Sequence, residues 1–320
     1  MLVDRRFLLR SAGPALAASL LPAAAFAASK RKTGGVAAAH PTGKALTAKD
    51  ISVEDVNGLT VFGVGGCNVV ALAGPNGALL VDGGPAADAA VLLKAMSGAL
   101  KNDRIATLIN THWHPEQVGL NQTAGKAGAP ICAHEVTRLY LGRDSHSALY
   151  PGVIKALPPE ARPTKTTFDA GQIEFAGETV AYKYLPAAHT NGDLFVHFPK
   201  HNVIAAGGPV SANRWPVMDY LNGAFMHGFV RSYEILAAVV KPDTIIIPAE
   251  GPTLTGADIA KQKDMYWALF KTMFANFNKG FGPKDVIEGR PLKDYEAQYG
   301  DPAQFLDAAY RSLQLATVPH

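Results

Sequence analysis

The sequence predicts a mixed α/β (α+β) fold in which two half-domains, each a sheet with helices on its outer face, pack sheet to sheet. Three observations carry this. Short apolar runs of strand length alternate with stretches of helical spacing from Ile51 onward. The alternation falls into two similar halves, roughly 51–165 and 166–320, with no repeat at the level of individual residues. Several of the runs end in polar residues, which suggests that their ends line one shared cleft.

The chain opens with a different kind of segment. Asp4-Arg5-Arg6-Phe7-Leu8-Leu9-Arg10 precedes an alanine-rich apolar run from Ala12 to Phe26, and Ala25-Phe26-Ala27 supplies a small-x-small cleavage site. A basic start, a short apolar core and such a site describe a removable signal peptide, expected over residues 1–27. The arginine pair resembles a twin-arginine signal, which addresses folded proteins to the bacterial periplasm. The alternative is an uncleaved anchor, but the run is shorter than the roughly 18 apolar residues a span needs, so no stable membrane span is expected after signal removal. Residues 28–50, mostly Ala, Gly, Lys and Thr, read as a disordered leader, leaving 51–320 as the folded domain. The formal net charge is +3, and losing Arg5, Arg6, Arg10 and Asp4 with the signal brings it near +1. That excludes a charge-driven partner such as nucleic acid. Cys67 and Cys132 both lie in apolar strand-like runs. A periplasmic address permits a disulfide, and two buried thiols are the favoured expectation.

Strands are expected at Val61–Phe62, Cys67–Ala73 and Ala78–Val81, with Gly74-Pro75-Asn76-Gly77 as the turn between the last two. Ala86 to Leu100 has helical spacing at Val91, Leu92, Ala95, Met96 and Leu100. Strands follow at Ile105–Ile109 and Pro130–Ala133, then a short helix at Glu135–Leu141. Residues 142–165 are irregular and proline-rich, with Ser145, His146 and Tyr150 among them, and predict a surface loop or lid. In the second half, strands are expected at Gln172–Phe175, Thr179–Leu185, Leu194–Phe198, Val203–Ala206 and Thr244–Ile247. Helices are expected at Arg231–Val240 and over most of 256–316, where they either cover a sheet or support a dimer.

Chemistry concentrates where strands end. After Ile109 comes Asn110-Thr111-His112-Trp113-His114-Pro115-Glu116-Gln117. In extended backbone, residues i and i+2 point the same way, so His112 and His114 are placed to grip one ion. After Leu185 comes His189-Thr190-Asn191-Gly192-Asp193, after Ala206 comes Gly207-Gly208, and after Ile247 comes Pro248-Ala249-Glu250-Gly251-Pro252.

This order and spacing resemble the metallo-β-lactamase superfamily, from about Ile51 to Ala257, together with Val81-Asp82-Gly83 and Trp215-Pro216-Val217-Met218-Asp219. The family pattern is His-x-His-x-Asp-His, a later His before Thr, a Gly-Asp after a strand, and a last His between Pro-Gly and Gly-Pro. The resemblance implies a four-layered αβ/βα sandwich with a zinc site between the sheets. It also implies that His112, His114 and His189 hold the first metal, since all three positions are histidine here. At the second-metal positions stand Glu116, Gln117, Gly208 and Glu250, none of which is the family residue, and glycine cannot ligate through a side chain.

One zinc ion is therefore expected. Three neutral imidazoles plus a water make a tetrahedral site with an open position, and such a site lowers the pKa of the bound water to roughly 7. Three imidazoles suit zinc well, although carboxylates nearby also admit iron or manganese. Glu116 is the candidate base for that water. Gln117 and Glu250 are candidates for a weak second site or for support of the first. Asp82 and Asp193 are expected to orient the imidazoles or brace turns. Trp215 and Asp219 are expected to line the substrate pocket. His134 reads as structural, and His146, His197, His201 and His227 have no supporting spacing. Two functions follow. One is a periplasmic zinc-dependent hydrolase of a small ester, lactone or lactam-like substrate. The other is a non-catalytic periplasmic binding or accessory protein with a degenerate metal site. Metal content separates them.

Overall fold

The computed structural model describes residues 46–317; the expected signal peptide and nearly all of the leader lie outside the described residues. The first half supplies β1 (Ser52–Val56), β2 (Leu59–Val64), β3 (Cys67–Gly74), β4 (Gly77–Val81), α1 (Ala89–Leu100), β5 (Ile105–Ile109), α2 (Asn121–Lys126), β6 (Ile131–His134), α3 (Glu135–Leu141) and β7 (Lys165–Thr167). The second half supplies β8 (Ala170–Phe175), β9 (Glu178–Leu185), β10 (Asp193–Phe198), β11 (Val203–Gly207), α4 (Met226–Val239), β12 (Ile245–Pro248), β13 (Leu254–Thr255), α5 (Gly256–Asn278), α6 (Pro283–Glu288), α7 (Glu296–Tyr299) and α8 (Ala303–Thr317).

The strands form a seven-stranded sheet in the order β1 to β7 and a six-stranded sheet in the order β13-β12-β11-β10-β9-β8. In the first, β1 to β4 run antiparallel and β4 to β7 parallel. In the second, only β11 and β12 run parallel. Side chains alternate across each strand, and the central strands β4, β11 and β12 are buried on both faces. Leu79, Val81, Ile109, Val196, Phe198, Val203, Ile245 and Ile247 fill the space between the sheets. Their neighbours Leu80 and Leu108 face Leu92 and Met96 of α1 on one outer side. Ile204 and Ile246 face Phe229 and Tyr233 of α4, Tyr266 of α5 and Phe305 of α8 on the other. The result is a four-layered helix–sheet–sheet–helix sandwich, as the alternation of elements predicts.

Where the elements differ from expectation, tertiary packing is the reason. β1 carries three exposed residues on a sheet edge and pairs only with β2, so it lacks a burial pattern. α2 contains Thr123 and Gly125 and is held instead by the Asn121 side chain, which bonds Asn110 and the carbonyl of Ala161. α4 starts at Met226, ahead of the expected Arg231, because Gly228 lets its first turn lie against the chain after β9; a Cβ there would sit 2.4 Å from the Pro186 carbonyl oxygen. Residues 142–164 are irregular, apart from one bridge between Ser145 and Ile154 and a 3-10 turn at Pro159–Ala161, and β7 begins at Lys165. Both cysteines are buried free thiols.

Two backbone hydrogen bonds help stitch the sheets together at one edge. Leu194 N donates to Thr111 O at 2.7 Å, and Asn68 N donates to Ala249 O at 2.8 Å. They bring the ends of β5, β9, β11 and β12 together, which is where the sequence places its polar residues.

Two glycines test the packing in opposite directions. A Cβ on Gly125 would fall 1.6 Å from the Glu160 carbonyl oxygen, whereas a Cβ on Gly98, exposed in α1, meets nothing within 4 Å. Gly125→Ala is expected to cost at least about 1–3 kcal/mol of unfolding free energy, and Gly98→Ala to add about 0.5–1 kcal/mol. Urea denaturation measures both, and equal effects would contradict the packing of α2.

Candidate metal centre

β5 delivers His112 and His114 through a segment that is itself anchored. Asn110 N bonds Cys132 O, and the side chains of Asn110 and Asn121 exchange two bonds of 2.9 Å. His114 keeps extended backbone, and Pro115 then opens a single turn of 3-10 helix carrying Glu116 and Gln117. His189 comes from the turn after β9. Asp193 shapes that turn by accepting bonds from the backbone N–H groups of Ala188, His189 and Thr190 and from the Thr190 hydroxyl. The three histidines are buried, and one ring nitrogen from each lies within 4.8 Å of the others. Their rings are nearly perpendicular, with interplanar angles of 85°, 88° and 79°.

Each imidazole has a support that sets its tautomer. His189 Nδ1 is 2.7 Å from Val217 O, an acceptor, so Nδ1 carries the proton and Nε2 the lone pair. His114 Nε2 is 3.2 Å from Asp219 Oδ2, which leaves the lone pair on Nδ1. Thr111 Oγ1 donates to Asp82 Oδ2 at 2.7 Å and so accepts from His112 Nδ1 at 2.9 Å, leaving Nε2 of His112 free to ligate. Three lone pairs thus converge. His189 Nε2 and His114 Nδ1 lie only 2.9 Å apart. Two lone pairs at that distance repel unless a cation lies among them, so the donor set fits a zinc ion.

Burial, with the neighbouring imidazoles, holds His112 and His114 well below the usual histidine range, and burial also lowers His189. Burial pushes the carboxyls of Asp82 and Asp193 up to about 7 against the donors that favour their charged forms. Asp219 is also raised by burial, with bonds from Asn222 and Ser147 opposing.

On the open side of the centre, Glu116 Oε1 lies 3.8 Å from His114 Nδ1. The Tyr150 hydroxyl donates to the Glu116 carboxylate at 2.8 Å, and the Tyr150 ring packs edge-on against His114. Gln117 is fully buried, and its amide lies against the Cys67 thiol. Gly208 abuts His189, and a Cβ there would lie 2.2 Å from His189 Cδ2. Glu250 forms an ion pair with Arg214. These residues line a cavity of about 190 Å³ with the three histidines. A second cavity of about 380 Å³ adjoins it and shares Leu149, Arg214, Pro216 and Val217.

Trp215 and Asp219 both border the second cavity. Trp215 is mostly packed away, its indole N–H donating to Gly300 O and its ring stacked on Phe305. Asp219 faces His114. His134 caps α3 by accepting from Val136 N. His201 bonds Asn57 O and pairs with Glu178, and His227 packs on Trp267 and Phe270, so neither belongs to the centre. His146 contributes its carbonyl to Asn222, and His197 lies in β10. Sequence reasoning missed Thr111, Tyr150 and Arg214 as parts of the site. Thr111 adjoins the motif, but Tyr150 and Arg214 lie in irregular segments whose spacing carries no signal.

Two facing sheets, helices outside and three converging imidazoles at the strand ends define a hydrolase-like αβ/βα sandwich with a candidate metal centre. The family model of the metallo-beta-lactamase superfamily matches residues 62–250, and the chain belongs to that superfamily. The fold is similar to a metallo-beta-lactamase from Pontibacter korlensis (17% identity, TM-score 0.51, covering 68% of this chain and 93% of that one). It is also similar to the metallo-beta-lactamase IND-7 (20% identity, TM-score 0.54, 68% and 98%). A third similar structure is the stereoselective inverting sec-alkylsulfatase Pisa1 from Pseudomonas sp. (14% identity, TM-score 0.61, 84% and 52%). No curated protein matches the chain.

Two measurements probe the centre. Gly208→Ala displaces His189 and is expected to weaken zinc binding about 10–100-fold, the range for loss of a ligand's support; unchanged affinity in a chelator competition would contradict the contact. The second is pH. Three exposed imidazoles with a pKa near 6.5 would lose affinity roughly 50–100-fold on acidification to pH 6, because each would be about three-quarters protonated. Here the lowered pKa values keep the rings neutral, so protons compete less and apparent zinc affinity is expected to change less than about tenfold between pH 8 and 6.

Proposed function

We propose that the protein is an exported one-zinc hydrolase acting on a small ester, lactone or lactam-like substrate. The observation that carries this reading is the convergence of three neutral imidazole lone pairs beside a carboxylate, Glu116, held by Tyr150. His112, His114 and His189 would hold the zinc, which when bound would supply Lewis-acid chemistry towards water and an acyl oxygen.

The chain's own groups handle the protons. Glu116 accepts one from the attacking water as that oxygen bonds to the acyl carbon. It then returns the proton to the leaving oxygen or nitrogen as the acyl bond breaks, so the carboxylate ends as it began. Tyr150 donates to Glu116 throughout and fixes its orientation; burial and the Glu116 charge raise its phenol pKa, so it stays protonated. The cavity of about 190 Å³ admits a small acyl group and few waters. Export to the periplasm is part of the proposal, supported by Arg5-Arg6 and Ala25-Phe26-Ala27. Among the described residues no helix is long and apolar enough to cross a membrane.

A binding protein with a degenerate centre is the rival reading, favoured by the altered residues Glu116, Gln117, Gly208 and Glu250. Elemental analysis of the exported protein separates the two. The hydrolase reading expects close to one zinc per chain, lost in His112→Ala and in His189→Ala, together with turnover of chromogenic esters, lactones or lactams. Glu116→Gln is expected to keep the zinc and lower kcat about 10²-fold or more. Correctly exported protein that holds no metal would overturn the proposal.

A further inference from the structure

The cavity beside the three histidines collects more negative and polar groups than one metal answers. Glu116 and Glu250 line it, and so does the buried amide of Gln117. Cys67 stands behind them. It feels the charge of Glu116 and Arg214 and the amide of Gln117, and its backbone bridges that of Glu250. Carboxylates gathered in a partly dry cavity require a cation. The residues that the family resemblance assigns to a second metal are the ones on this side. Among the described residues, however, the group arranged to hold a metal is His112, His114 and His189, and Glu116, Glu250 and Cys67 form no such group. Gly208 supplies no ligand, and His189 leaves no room for a Cβ there.

The cation present is Arg214. Its guanidinium pairs with Glu250, lines the same cavity as the histidines, and acts through space on Glu116, Cys67 and His189. Glu250 is in turn fixed by its backbone bridge to Cys67 at the start of β3, so the ion pair has a rigid anchor. Only about a third of the Arg214 side chain is exposed. Unlike a bound metal, a guanidinium is neither removed by chelators nor deprotonated in the working range of pH.

We propose that Arg214 is the second cation of this centre: its guanidinium, tethered by Glu250, takes the place of a second metal ion and closes that position to metal. The proposal rests on the one-zinc reading above. It makes the altered residues a coherent set. Glu250 exchanges a metal for a guanidinium, Gly208 gives way to His189, and Gln117 presents neutral polar atoms where a charged ligand would need its own metal.

The test is zinc stoichiometry of the exported full-length protein by native mass spectrometry and calorimetric titration with zinc alone, carried into excess. Wild type and Arg214→Lys, which keeps the charge, are expected to saturate at one ion. Arg214→Gln removes the cation that pairs with Glu250 and acts through space on Glu116, and is expected to take up a second zinc, bound at least tenfold more tightly than any second ion in wild type. If Arg214→Gln does not fold, as judged by circular dichroism, Arg214→Ser serves in its place. A wild type that binds two ions, or a charge-removing variant that stops at one, overturns the proposal while leaving the three-histidine centre standing. A wild type that binds none overturns the one-zinc reading itself.

Discussion

The mutual approach of three unprotonated imidazole nitrogens is the constraint around which this molecule is arranged. Lone pairs that close are repulsive without a cation, and the rings are too deeply buried to relieve the repulsion by taking up protons. Something else must hold them, and the supports come from separate parts of the chain. Asp82, at the end of β4, reaches His112 through the Thr111 hydroxyl. Asp193, at the start of β10, organises the turn that presents His189. Asp219 and the Val217 carbonyl take the outer nitrogens of His114 and His189. Each support is cheap only when the centre is charged, because a nearby divalent ion favours carboxylates that burial otherwise pushes towards protonation.

The other half of the site follows a different electrostatic rule. There each carboxylate is answered by an organic donor, Glu116 by the Tyr150 hydroxyl and Glu250 by the Arg214 guanidinium. These partners differ in consequence. A phenol that donates to Glu116 fixes where the carboxylate points and leaves its charge in place. A guanidinium gives Glu250 a permanent cationic partner. Of the two glutamates, Glu116 is the one to which the proposed mechanism gives a proton-transfer role, and it is also the one that approaches the histidine cluster, at 3.8 Å from His114 Nδ1.

How much of this was legible in the sequence depends on whether a role dictates residue type at fixed local spacing. His112 and His114 were readable because extended backbone makes i and i+2 neighbours, and His189 because its place before Thr190 matches the family pattern; the Asp193 brace of its turn appears in the structure. The sheet alternation was readable because strands buried on both faces become continuous apolar runs, as at Ile245–Ile247. Arg214 and Tyr150 were not. Their meaning comes from partners 36 and 34 residues away in sequence, and nothing at their own positions announces it. Asp219 was readable as a residue of the site's rim, but its contact with His114 depends on the path of residues 209–219. The start of α4 was hidden by Gly228, which looks like a helix breaker yet serves a close approach to Pro186.

That path also explains why the C-terminal helices matter to a site they do not enter. The superfamily match ends at residue 250, before α5 begins. Yet Gln262 of α5 donates to Ser211 O, Trp215 donates to Gly300 O and stacks on Phe305 of α8, and Tyr233 bonds both Pro209 O and Gln262. The segment held in this way carries Arg214, Val217 and Asp219. It thus sets the orientation of two of the three imidazoles, the position of the one guanidinium in the cavity, and the wall between the two cavities. Loosening it would leave His112 supported and His114 and His189 without their outer acceptors, and three ligands reduced to one well-oriented ring no longer specify a metal. The helices beyond the matched region are in this sense part of the candidate metal centre, coupled to it through a single irregular segment.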